Sequence, residues 1–340
     1  MSTESKLITF CVPSYNSAEY LHYALDSLKG IADIEVLVID DGSKDDTLKI
    51  AKNYEDIDPS VFHAIHQENK GHGGAINTAL SLATGRYFKV LDSDDWADRE
   101  ALNKLLDFLK AGNEPDLILM DYVYQQGRNN PTTRIHFDLY FPVNEVVPLT
   151  RMKHHMKMTD NVTLHSAIYK TQVLRDSHLT LPEHCSYEDN YFVYVPMAII
   201  QTVAYLPEPL YQYLIGRDGQ SMAYETCIRK YKDFVKCGEL IFKAQDIMKF
   251  RKSDPKRFLL MKHHLMLGMM FAVLYPQLKK DEESIKVMND FMDTCEKTYP
   301  EQFKFCRKDV RVSTFYNRGK PAYKTSRFWY KMAHLFVKFN

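Results

Sequence analysis

The sequence predicts an α/β fold with a mainly parallel sheet, followed by a C-terminal helical appendix. Short β-rich runs alternate with helical patterns through the first third of the chain. The run Val36-Leu37-Val38-Ile39 lacks polar alternation, as a central strand covered on both faces requires. From Arg229 onward helical spacing dominates. A chain of 340 residues, 45% hydrophobic and 13% aromatic, can bury the core such a fold needs.

In chain order, the runs 7–12, 35–40, 61–66, 87–91 and 117–124 read as strands, because β-branched and aromatic residues cluster in each. Between them 19–29, 45–54, 74–83 and 98–109 carry Leu, Ile, Tyr and Phe at helical spacing. The polar turn Gln125–Asn130 with Pro131 ends this regularity and leads into mixed segments up to Tyr213. Helical patterns then cover 229–250, 256–275 and 282–299, with core-filling methionines such as Met266, Met269 and Met270. The expected division is a catalytic domain over 1–222 and a helical appendix over 223–340.

Lys plus Arg and Asp plus Glu balance at 44 each, so no global field selects nucleic acid. Six cysteines without a CxxC pair argue against a disulfide framework or zinc knuckle and fit a reducing cytoplasm. The doublets His154-His155 and His263-His264 read as surface or packing residues. Residues 1–6 lack the apolar core of a signal peptide, and no later window reads as long enough to span a bilayer.

Four polar or small-residue loops leave the carboxyl ends of the first four strands: Pro13-Ser14-Tyr15-Asn16, Asp40-Asp41-Gly42-Ser43, Asn69 to Gly74, and Asp92-Ser93-Asp94-Asp95-Trp96. In an open α/β sheet these ends converge on one crevice, where ligands bind. Three carboxylates in four residues offer hard oxygen ligands for a divalent cation and, through it, a diphosphate. The same Asp run also reads as a turn capping the helix that follows. Asp41 can accept a hydrogen bond from a ligand N–H, with Pro13 and Tyr15 shaping the wall beside it. Gly71, Gly73 and Gly74 allow a ligand close to the backbone ahead of a helix N-terminus. Later, Glu188-Asp189 forms an acidic pair that reads equally as a helix start.

These motifs, in this order and separation, resemble family 2 of the inverting glycosyltransferases, with its A-type nucleotide-binding fold. The likeness covers residues 6–125, and 160–222 more loosely. It implies a nucleotide-sugar donor, with UDP-sugar the expected class, and a glycan or lipid-linked acceptor hydroxyl in polysaccharide or cell-envelope synthesis. It further implies that Asp92 holds the ribose or a metal-bound water, that Asp94 binds Mg²⁺ or Mn²⁺, and that Asp189 is the general base, with Glu188 its rival near the acceptor. Ala75-Ile76-Asn77 departs from the family wording, where many members carry Arg before Asn. A phosphate contact then falls to Lys70 or Arg217. His165, in Thr163-Leu164-His165-Ser166, is a candidate for positioning the acceptor, and a core or turn role stays open for it.

From Gln302 onward there are ten Lys/Arg and one acid, Asp309. Wound as a helix, 327–340 puts Phe328, Met332, Leu335, Phe336 and Phe339 on one side and cations on the other, the pattern of a helix lying on an anionic membrane surface. A peripheral place on the inner face of the plasma membrane would follow. Docking on the protein would produce the same pattern. Two rivals remain: a non-catalytic membrane-associated scaffold, and a sugar-phosphate nucleotidyltransferase, for which the first loop lacks the expected glycines and basic residues. A dinucleotide-dependent dehydrogenase is weaker still, since no GxGxxG follows the first strand.

Overall fold

The computed structural model describes residues 6–157, 160–216 and 224–316. Two compact units emerge. The α/β unit comprises Met1–His154, Val162–Cys185 and Ile199–Ile215, and the helical unit His155–Asn161, Ser186–Ala198 and Gly216–Asn340. The expected boundary at 222/223 and the amphipathic segment 327–340 lie outside the described residues.

The α/β unit opens with β1 (Ile8–Ser14), α1 (Leu21–Leu28), β2 (Ile34–Asp40), α2 (Thr47–Ile57), β3 (Phe62–His66), α3 (Gly71–Leu82) and β4 (Tyr87–Val90). There follow β5 (Trp96–Ala97), α4 (Arg99–Lys110), β6 (Leu117–Gln125), β7 (Pro131–Ile135), β8 (Val146–Pro148), β9 (Ala167–Lys170), α5 (Thr171–Asp176) and β10 (Thr202–Leu214). The sheet runs β3-β2-β1-β4-β9-β6-β10-β5, with β7 on β6 and β8 on β10. β1 pairs in parallel with β2 and β4, and β2 with β3, so the first four strands deliver their carboxyl ends to one edge.

Along β1 and β2 alternate side chains face opposite ways. Ile8, Phe10, Val12, Val36 and Val38 join a cluster with Leu21 and Leu25 of α1, Ala51 of α2, and Leu102 and Leu105 of α4. Helix α3 packs against β1 and β2 through its buried Ala75, Ile76 and Ala79. Both faces are covered, as the unbroken apolar run of β2 requires. β5, β7, β8, β9 and β10 lie outside the runs read as strands, and of these β9 sits antiparallel to both β4 and β6 between them. Its four residues, Ala-Ile-Tyr-Lys, are too few to show a period.

The helical unit contains α6 (Asp189–Tyr194), α7 (Tyr224–Arg229), α8 (Tyr231–Ala244), α9 (Phe250–Ser253), α10 (Pro255–Lys279), α11 (Glu282–Thr298), α12 (Pro300–Cys306) and α13 (Val310–Ser313). The helix expected over 229–250 is broken instead: Gln245 is extended, and Asp246 starts a single 3₁₀ turn by accepting from Met248 N. Asp254 caps α10, accepting from Arg257 N at 3.1 Å, and Pro255 fills the first turn, where no N–H is needed. A Cβ on Gly238 of α8 would lie 2.7 Å from Ala272 Cβ and 3.0 Å from Gly268 O of α10, so glycine is what lets the two helices approach. By length and hydropathy α10 could cross a membrane, contrary to the sequence reading, in which Lys262 and the His doublet obscured its apolar stretch. That stretch is 78% buried within the protein, as a core helix is.

Candidate active site

Side chains of the loops stitch the four strand ends together. Asn16 N donates to Ser43 Oγ at 2.9 Å, joining the first loop to the second. Ser17 and Ser93 hydroxyls lie 2.8 Å apart, joining the first to the fourth. The Asp41 carboxylate accepts from Gln67 Nε2 at 2.7 Å and from the backbone N–H groups of Lys70 and Gly71 at 2.8 Å each, joining the second to the third. Asp41 thus satisfies the first N–H groups of α3, which otherwise lack acceptors. Oδ2 takes one of these bonds and retains acceptor capacity. Asp40 turns away, its Oδ2 2.6 Å from His66 Nδ1 at the end of β2.

The glycine segment is closely packed at Gly71 and Gly74. Helix α3 begins at Gly71, three residues before the expected start. Gly71 has φ +77, and a Cβ there would meet the His184 backbone at 3.0 Å. Lys70 O accepts from His184 N at 2.8 Å, so protein backbone occupies that side. At Gly74 an added Cβ would lie 2.3 Å from Lys70 Cβ. Close packing of the chain on itself explains these glycines.

The Asp run is not the cap of the next helix. That duty falls to Asp98, which accepts from Ala101 N at 2.9 Å. Asp95 is fully buried and anchors β10, accepting from the Tyr211 hydroxyl at 2.6 Å and from Leu214 N at 2.7 Å. Asp92 is about a quarter exposed, at 26%, and stays open to a ligand. His72 Nε2 lies 3.0 Å from its Oδ1 and the Tyr211 hydroxyl 3.1 Å from its Oδ2. Asp94 is half-buried between them in sequence.

Electrostatics separates the two bonded carboxylates. Burial opposes charge on Asp92, but the hydrogen bond and charge of His72, with the Tyr211 hydroxyl, hold its carboxyl below the usual range. Burial and the neighbouring Asp92 charge push Asp95 well above that range. Burial also lowers His165 to about 4, which leaves its imidazole neutral at pH 7 and able to act as a ligand. Asp92, Asp95 and His165 bring one ligand atom each within 4.8 Å of one another. Asp95 is committed to Tyr211 and Leu214, so of this group the Asp92 carboxylate and the His165 imidazole are the ones that could reach a divalent cation.

Of the residues singled out in the sequence, Pro13, Tyr15, Asp41, Lys70, Gly71, Asp92, Asp94 and His165 all belong to the α/β unit. Pro13 is buried in β1 and Tyr15 is half exposed at the loop tip. Lys70 reaches Glu183 at 3.9 Å. Glu188 and Asp189 belong to the helical unit, at the start of α6. Arg217 lies outside the described residues. Three residues of the site escaped sequence reading: His72, Lys89 and Tyr211. A lysine in the otherwise apolar strand Tyr87-Phe88-Lys89-Val90-Leu91 was the available signal, because a buried charge demands partners.

Residues 9–177 match the profile of glycosyl transferase family 2. Chondroitin synthase of Escherichia coli is 41% identical over 125 residues, which cover 36% of this chain and 17% of that protein. TarS of Staphylococcus aureus, a poly(ribitol-phosphate) β-N-acetylglucosaminyltransferase, is 28% identical over 218 residues, covering 62% of this chain and 36% of TarS. The crystal structure of TarS 1–349 superposes with a TM-score of 0.66 at 21% identity, over 96% of this chain and 92% of that one. Its complex with UDP-GlcNAc gives 0.59 at 20% identity, again over 96% and 92%. A mannosyltransferase of Pyrobaculum calidifontis, in complex with GDP-Man and Mn²⁺, gives 0.54 at 17% identity, over 98% and 86%. The chain spans 62% or less of the length of the sequence relatives it matches first. The fold is thus the A-type glycosyltransferase fold expected from the sequence, and through residues 9–177 the chain belongs to glycosyl transferase family 2.

Proposed function

We propose that this chain transfers a sugar from a uridine diphosphate donor to a hydroxyl of a surface polysaccharide, with inversion at the anomeric carbon. One observation carries the reading: Asp92, held ionised by His72 and Tyr211, stays partly open at the sheet edge where four strand-end loops meet. The UDP-GlcNAc complex of TarS supports the donor class, and the polymer names of TarS and chondroitin synthase support the acceptor class.

In this reading Pro13 and Tyr15 wall the base and ribose, and the remaining acceptor capacity of Asp41 Oδ2 meets the uracil imide. Asp92 orients the ribose or a metal-bound water. Lys70 and Arg217 meet the diphosphate, and His165 orients the acceptor. Asp189 takes the proton from the acceptor hydroxyl as that oxygen attacks, with Glu188 the alternative base. A divalent cation held by Asp94 would neutralise charge on the departing diphosphate. Inversion follows from a single displacement, in which acceptor and leaving group occupy opposite faces of the sugar.

Calorimetric titration of UDP with and without Mn²⁺ tests this. Wild type should bind more tightly with the ion, and Asp94→Ala should lose at least about tenfold of the metal-dependent affinity while its melting temperature stays near wild type. Unchanged affinity in the variant removes Asp94 from the site. Failure of the wild type to bind UDP removes the donor assignment.

A further inference from the structure

Lys89 stands in β4, three residues before Asp92, and is 1% exposed. Its ammonium donates to the carbonyls of Leu164 at 2.7 Å and His165 at 2.6 Å, with Ala167 O at 3.4 Å. All three of its hydrogens are thereby used on one stretch of backbone. That stretch is a turn: Ser166 N and Ala167 N both donate to Thr163 O at 3.1 Å, and Ser166 Oγ donates to the same oxygen at 3.0 Å. The turn's amides therefore point one way, and the carbonyls of Leu164 and His165 emerge on the other, toward Lys89. Its ammonium also sits 4.9 Å from the ring centre of Tyr211, whose hydroxyl reaches Asp92 and Asp95.

The same turn carries His165. Its imidazole stacks on Tyr213 at 4.5 Å and meets the edges of Tyr211 at 4.8 Å and Tyr122 at 5.4 Å. Those rings fix the plane of the imidazole, but only the backbone fixes where its Cα stands. The backbone is what Lys89 grips. An apolar side chain at 89 would take this donor from all three carbonyls at once, and a buried carbonyl left unbonded is costly. The turn would shift to recover those bonds, carrying His165 away from Asp92.

We propose that Lys89 is a positioning residue, which braces the 163–167 turn and so holds His165 beside Asp92. Its effect on turnover rests on the glycosyltransferase reading above; its effect on the turn does not. The test uses the full chain with Lys89→Met, Lys89→Gln, His165→Ala and the Lys89→Met/His165→Ala double variant. Hydrogen exchange should show the amides of Ser166 and Ala167 opening at least about tenfold faster in Lys89→Met, with those of β1 unchanged. Donor turnover in Lys89→Met should fall at least about tenfold in kcat, with the donor KM within about threefold of wild type. In the His165→Ala background the same substitution should cost less than about threefold, because the two residues act as one unit. Lys89→Gln keeps two donor hydrogens, should fall between, and carries the comparison if Lys89→Met does not fold. Unchanged exchange in the turn overturns the proposal, as do effects that multiply in the double variant. If wild type transfers no sugar, the failure lies with the function assignment, and the exchange measurement alone decides about Lys89.

Discussion

In the α/β unit the buried ionisable side chains Glu35, Lys89, Asp95 and Asp121 each meet two or more partners on other elements. In the helical unit the polar groups at helix ends are paired as well, with Asp254 holding Arg257 and Gln302 holding Ile247 N. The middle of α10 differs: neither ring nitrogen of His264 has a hydrogen-bond partner among the described residues, and His263 Nε2 has none either. The same unit buries Met261, Met266, Met269 and Met292, flexible side chains that fill space. A paired polar network fixes atoms to within a hydrogen bond, whereas a methionine core fixes only a volume. The first kind of construction surrounds Asp92.

The largest expected effect asks whether the helical unit also does chemistry. Asp189→Asn should cut sugar transfer by about a thousandfold, within the span that general bases contribute, and leave UDP affinity nearly unchanged. An amide keeps the shape of the carboxylate and loses its basicity. Should the variant turn over within a few-fold of wild type, the helical unit is scaffold alone, and Glu188 is the next residue to substitute.

Next comes the paired network itself. Tyr211→Phe removes the hydroxyl shared by Asp92 and Asp95 and leaves the fully buried Asp95 with Leu214 N as its remaining partner. Stability should fall by about 1–3 kcal/mol, read as a lower urea midpoint at unchanged slope. A midpoint equal to wild type would mean that Asp95 finds other partners, and that the network is looser than its distances suggest.

How far the sequence announced this arrangement depends on the range of the interaction. Strands, helices and the four loops were legible because each rests on local pattern, and the parallel edge follows once β-α-β units alternate. β9 was not legible, since four residues carry no period and the strand is held by β4 and β6 alone. Asp98 and Asp92 could not be told apart as caps, because both precede the same helix and only the bond to Ala101 N decides. His72 was masked by the glycines beside it, which drew attention to backbone clearance. Tyr211 comes from the end of a strand more than a hundred residues beyond Asp92, and pairing across that separation leaves no local trace. Lys89 did leave one, a charge in an apolar strand, but its partners on the 163–167 turn could not be inferred.

The smallest effect is expected in the middle of α10. Burial lowers His263 to about 4 and His264 well below its ordinary value. A histidine in the unfolded chain takes up its proton near pH 6.5, as an exposed imidazole does. Between about 4 and 6.5 the unfolded state therefore binds more protons than the folded one, so stability rises with pH over that window and is lost on acidification. His165, at about 4, adds to the same slope from the α/β unit. His264→Leu removes one of these titrations and replaces two unbonded nitrogens by apolar atoms of similar volume. The expected outcome at pH 7 is a gain of up to about 1 kcal/mol, since a buried group without a partner contributes nothing to offset its desolvation. Between pH 6.5 and 4.5 the unfolding midpoint of the variant should fall less steeply than that of wild type. Urea unfolding at four or five pH values measures both. A variant less stable than wild type at pH 7 would show that the imidazole is bonded after all, and the contrast between α10 and the paired side chains around Asp95 would fall.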